Sequence, residues 1–162
     1  MKKLLLLLIM LFICLTACGG ETFPYHVVYN KKGGFGFDKE KNTFLVCESV
    51  SSRSELIELC EKYDNHYFDD DFSYANKEIP MIIRSYDESF FNNNDLIIVV
   101  TTKNDSFNYK IKGIDINDMN IIINLKKKKL YGTFTDEAYS YMFIIEIEKV
   151  EHNSVSIKII GE

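Results

Sequence analysis

The chain has 162 residues, a length that holds one ordinary domain with a real core. Its formal charge of −5 excludes the broadly basic surface of a nucleic-acid binder, and the two cysteines beyond the first eighteen residues, Cys47 and Cys60, are too few for a disulfide framework. Aromatic residues make up 14% of the chain, all Phe and Tyr, so the core is expected to be built from them and from abundant Ile.

The chain opens with Lys2 and Lys3 and then an apolar run from Leu4 to Leu15. That run is shorter than the roughly 20 residues a membrane-spanning helix needs, and it matches the hydrophobic part of a secretory leader. It ends in Leu15-Thr16-Ala17-Cys18. This segment resembles the bacterial lipobox, whose cysteine takes a diacylglycerol group before the leader is cut off. The resemblance implies a signal peptide over 1–17, lipid attachment at Cys18, and a tether over 18–22 ahead of a domain at 23–162. It places the protein at the cell membrane, lipid-anchored on the extracytoplasmic face. Loss of Lys2 and Lys3 with the leader takes the net charge from −5 to −7. Long-range attraction to anionic lipid is therefore not expected, and the acyl chains themselves supply the anchoring.

"TFPYHVVY" reads as a short extended segment, with Pro24 favouring a sheet edge or the start of the strand, followed by a glycine-rich loop. No GK[ST] follows those glycines, so they are not a phosphate loop. "TFLVCESV" has strand composition. Ser52 and Glu55 then form a capping box, and Leu56, Leu59, Cys60 and Tyr63 follow the stripe of an amphipathic helix over 53–63. "DNHYFDDDFSYANKE" is polar and irregular. "IPMIIRSY" reads as a short strand, and Ser85 with Glu88 as a second capping box. One or two helical turns follow, pinned by Phe90 and Phe91 and closed by a left-handed Asn.

From residue 95 the pattern is almost entirely β. "DLIIVVTT" is continuously apolar, as in a strand covered on both faces. "FNYKIKGIDI" alternates with Tyr109, Ile111 and Gly113 on one side. "NDMN" reads as a hairpin turn into the strand from Ile121. "YMFIIEIEKV" and "VSIKII" read as a last antiparallel pair joined by "EHNS". The expected fold is α+β: an antiparallel meander or small sandwich with one main amphipathic helix packed on it.

Few residues point to chemistry. His26, His66 and His152 are isolated, and no cofactor or metal motif is present. Asp64 with Asp69, Asp70 and Asp71 offers hard oxygen ligands but lacks the spacing of a calcium loop. Cys47 and Cys60 stay open between a bridge and two buried free thiols. Lys126 to Lys129 suit solvent-facing positions at a strand end or edge, with contact to anionic polymers or lipid heads as the alternative. Tyr131, Phe134, Tyr139 and Tyr141 offer either core packing or anchors for a partner, and an exposed strand edge offers strand addition.

The stretches "SYDESFFNNNDLIIVV", "YKIKGIDI" and "LYGTFTDEAYSYMFIIEIEK" resemble a group of small secreted or lipid-anchored bacterial proteins. Distantly, they are similar to the C-terminal domain of the PrcB-type protease-complex subunit. That resemblance implies a non-enzymatic lipoprotein that binds or stabilises another exported protein, and it brings no catalytic residues. A surface hydrolase with a site assembled from distant residues, or an ion- or small-ligand-binding module, are the alternatives.

The anchor has a direct test. Cys18→Ala is expected to abolish incorporation of a labelled fatty acid and to leave the leader uncut, read by in-gel fluorescence and intact mass. Labelling that persists in the variant would remove the lipobox reading.

Overall fold

The computed structural model describes residues 22–33, 45–69, 77–103, 106–132 and 139–160. The leader with Cys18, most of the glycine-rich loop, Asp70, Asp71 and Phe134 lie outside the described residues.

Two strands organise the rest. β3 (Asn94–Lys103) and β6 (Tyr139–Glu148) pair antiparallel over their full length. Leu96, Ile97, Ile98, Val99 and Val100 of β3 are fully buried, as are Met142, Ile144 and Ile145 of β6. Successive side chains on a strand point to opposite faces, so such a run needs cover on both sides. Here it has both. Leu96, Ile98, Val100, Met142 and Ile144 belong to one core, and Ile97, Val99, Phe143, Ile145 and Ile147 to another. Each large aliphatic side chain buried this way contributes about 1.5–3 kcal/mol.

β1 (Tyr25–Lys32) adds to β6 and β2 (Leu45–Val50) to β3, giving a four-stranded antiparallel sheet in the order β1-β6-β3-β2. β4 (Phe107–Asn117), β5 (Asn120–Lys129) and β7 (Ser154–Ile160) form a second sheet in that order. It covers one face of the first through Ile111, Ile114, Ile121, Ile123 and Leu125. The other face takes three helices, α1 (Arg53–Lys62), α2 (Glu78–Ser85) and α3 (Glu88–Phe91). The architecture is α+β and β-rich, in three layers, with the four-stranded sheet in the middle.

The main helix forms as its sequence demands. Ser52 Oγ accepts the Glu55 N–H at 3.1 Å, and the Glu55 carboxylate accepts the Ser51 N–H at 2.7 Å. Leu56, Leu59 and Cys60 are buried. The helix closes with Asp64 in the left-handed region (φ 54°). Its N–H donates to Glu61 O, and the Asn65 N–H to Cys60 O. This is a Schellman closure built on Asp rather than Gly.

Three expectations are corrected. "IPMIIRSY" is α2, not a strand. Ile79, Ile82, Ile83 and Tyr86 recur at helical spacing and pack on the helical-side core, while Met81 is 57% exposed. Pro80 sits in the first turn, where its missing N–H is not needed. The cap of α3 is Asp87, not Ser85: its carboxylate accepts the Phe90 N–H at 3.0 Å. Asn92 at the far end is right-handed (φ −64°), and Asn94 closes the turn by donating to Phe90 O at 3.1 Å.

The third correction concerns the strand order. β6 and β7 do not pair: β6 lies inside the first sheet, and β7 runs parallel to β5 in the second. β6 is apolar on both faces and takes a central place, whereas β7 is half-exposed and takes an edge. Among the described strands, only β4 and β5 are paired through a tight hairpin.

In β4 the alternation breaks. The register shifts between Ile111 and Gly113, so Lys112 is extra, and the inward positions after Tyr109 and Ile111 become Ile114 and Ile116. At the hairpin, Asp118 (φ 48°) and Met119 (φ 62°) are both left-handed, the type I′ geometry that matches strand twist. Met carries a steric cost there that Gly avoids. Met119→Gly is expected to stabilise the protein by about 1 kcal/mol, read as a raised urea midpoint with unchanged slope. An unchanged or lowered midpoint would show the turn to be unstrained.

Candidate functional site

The two sheets meet at one edge and part along it. Phe23 N–H donates to Ile114 O at 2.7 Å, and no further backbone hydrogen bond joins the β1 side to β4 among the described residues. Beyond that junction the edges of β1 and β4 diverge, leaving a groove of about 530 Å³. Tyr25, Val27 and Asn30 of β1 line one wall, and Asn108, Tyr109 and Ile111 of β4 the other. Tyr141 and Phe143 of β6 form its back, their rings in a T-shaped contact at 5.2 Å. Lys110 and Lys128 stand at the rim.

The aromatic walls are fixed in place. The Tyr141 hydroxyl donates to Asn30 O, and burial raises its pKa above the usual tyrosine value. Tyr109 meets Phe107 edge-on at 5.3 Å, with the Lys127 ammonium 4.1 Å from the Phe107 ring centre. The result is a preformed aromatic slot between two strand edges that end their sheets. Such edges present unpaired backbone donors and acceptors to an incoming strand.

A second cleft, of about 490 Å³, lies on the helical side between Tyr29, His66, Tyr67, Glu78 and Pro80. His66 pairs there with Asp64 at 3.1 Å and with Asp69 at 3.2 Å, all three exposed. Among the described residues, no group of three His, Cys, Asp or Glu side chains is placed to hold a metal ion.

The other histidines are elsewhere. His26 Nδ1 lies 3.1 Å from Glu146 Oε2, and Glu146 Oε1 accepts the Tyr86 hydroxyl at 2.9 Å. Burial, and then Glu146, raise the Tyr86 pKa. Arg53 donates to Tyr86 O at 2.6 Å, and Tyr86 packs on Phe90 at 4.7 Å. This chain of contacts ties the helical layer to β1 and β6. His152 Nδ1 bonds its own turn, at Val150 O. No hydroxyl or thiol hydrogen-bonds to any of the three histidines among the described residues, so they assemble no nucleophile–base pair.

Of the residues singled out from sequence, Tyr141 and Lys128 reach the groove. Tyr139 lies in β6 with the Lys32 ammonium 4.6 Å from its ring centre, and Tyr131 is 96% exposed. Lys126 to Lys129 end the central strand of the second sheet: Lys126 pairs with both Lys110 and Ile160, whereas Lys127 to Lys129 run past the last described pair with β7 and pair with β4 alone. Tyr25, Asn30 and Tyr109 were not foreseen, because a gap between two strands leaves no local pattern. Asp95 was also missed. It is buried at the start of β3, where one oxygen accepts the Val150 N–H at 3.4 Å and the other has no hydrogen-bond partner among the described residues.

Comparison with protein-family models, with curated proteins and with solved structures returns no match. No helix among the described residues is long and apolar enough to cross a membrane.

Cys47 and Cys60 are free and belong to different cores. Cys47, on β2, faces the second sheet, and Cys60, on α1, is buried in the core on the opposite side of the middle sheet, so the sheet lies between them. Burial pushes both thiols up to about 12. Both are expected to resist iodoacetamide at pH 8 in the folded protein and to react on unfolding, counted by mass. In the unfolded chain they ionise near 9.0, below their folded values. Their contribution to stability is therefore complete below pH 9 and is lost as pH rises towards 12. A mass two daltons short of the dithiol form would establish a bridge instead.

Proposed function

We propose that the protein is a lipid-anchored, extracytoplasmic, non-enzymatic binding protein that holds an extended segment of another exported protein. The groove between β1 and β4 carries this reading. Its two strand edges supply main-chain hydrogen bonds, and Tyr25, Tyr109, Tyr141 and Phe143 supply flat apolar contact. The Leu15-Thr16-Ala17-Cys18 segment supports the membrane location, and the resemblance to the PrcB-type subunit domain supports a stabilising role towards a partner.

A photoreactive residue in place of Tyr109 is expected to crosslink an exported protein on intact cells. The same group at Tyr131, exposed but outside the groove, is not. Tyr109→Ala is expected to weaken capture about tenfold, as for an aromatic anchor, and, because the ring also packs against the second core, to lower the thermal midpoint. Equal crosslinking from both positions, or none from either, would defeat the groove as the binding site.

A further inference from the structure

The outer face of the second sheet gathers lysines that are far apart in sequence. β5 turns Ile121, Ile123 and Leu125 inward, which sends Lys126 and Lys128 outward. β4 turns Tyr109 and Ile111 inward, so Lys110 points the same way, and the bulge leaves Lys112 exposed beside it. β7 turns Val155 and Ile157 inward, and Lys158 joins the set. Lys110 stands directly opposite Lys126, Lys128 is one diagonal step away, and Lys158 faces Asn124 across the next strand pair.

Like charges directly opposite on a sheet cost stability, and among the described residues of these three strands only Asp115 offers a counter-charge. Among the described residues none of the five lysines has a carboxylate at ion-pair distance. Asp115, the one acid in these three strands, takes the Asn124 amide at 2.8 Å. On the opposite layer, α1 exposes Glu55, Glu58 and Glu61. A chain of net charge −5 thus carries one strongly cationic side.

The chain enters the fold at the edge of that side. Thr22 lies so close to Gly113 that a Cβ on the glycine would be 2.6 Å from Thr22 Cγ2. Cys18 precedes Thr22 by four residues, a reach of at most about 14 Å. That is about three strand spacings. Whatever holds Cys18 lies within that distance of the β4 edge.

We propose that this lysine face rests on the anionic headgroups of the membrane that holds the Cys18 lipid, with the helical layer turned away. The inference depends on the anchor reading above. Charge complementarity and the short tether select the membrane surface over a soluble polyanion.

The processed, full-length protein is reconstituted into phosphatidylcholine vesicles with or without about 30 mol % phosphatidylglycerol. Brief acetylation followed by mass spectrometry then reads each lysine. Lys110, Lys112, Lys126, Lys128 and Lys158 are expected to label about five-fold more slowly on the anionic vesicles, with Lys62 unchanged. About 1 M NaCl is expected to erase the difference. Lys126→Glu, placed opposite Lys110, is expected to raise the thermal midpoint and still lose the protection of its neighbours. Uniform labelling on both vesicles overturns the proposal, as does protection by soluble polyphosphate without protection on vesicles. The intact mass separates the two readings: without the lipid increment the anchor itself fails, whereas lipid with uniform labelling defeats the face alone.

Discussion

Everything in this molecule leans on the pairing of β3 with β6. Ten registered residue pairs join two strands whose side chains are apolar in both directions. A strand pair of that kind is insoluble alone, because either face left bare would expose a row of Ile and Val. One face demands helices and the other a second sheet, and the chain supplies them from both sides of β3. The dependence is mutual. The helical layer has too little apolar surface to persist by itself, since α2 and α3 are short and only stripes of them are buried.

The sequence was legible where a pattern is local. The α1 cap and stripe, the two-sided character of β3, the edge position implied by Pro24 and the turn at Asn117–Asn120 all follow from neighbours within a few residues. The failures have a common cause. "IPMIIRSY" is rich in β-branched residues, yet tertiary burial of Ile83 and Tyr86 overrode that preference. The bulge at Lys112 inverted the alternation of β4 halfway along. The pairing of β5 with β7 is non-local, and the composition of β7 does not say which strand it joins. The groove is harder still, because it is a gap between two edges that never approach in sequence.

Charge teaches the same lesson on a larger scale. The acidic total concealed a lysine side because alternation sorts residues by face, and a sum over the chain does not. Four adjacent lysines read as a run turn out to divide, with Lys127 over the Phe107 ring and Lys126 and Lys128 on the outer face. The thiols divide likewise. Cys47 and Cys60 are 13 positions apart and near in space by element, but the sheet between them keeps them chemically separate.

The contact of Thr22 with Gly113 has a mechanical consequence. Tension on the chain ahead of Thr22 enters β1, an edge strand held by β6 from Tyr25 to Lys32. Pulled across its length, such a strand peels one pair at a time; pulled along its length, it loads the whole ladder in shear. Thr22 seated on Gly113 and Phe23 bonded to Ile114 fix the point of entry from the β4 side. They are the first contacts to feel a force, and while they hold, β4 bears part of it before it reaches the ladder between β1 and β6.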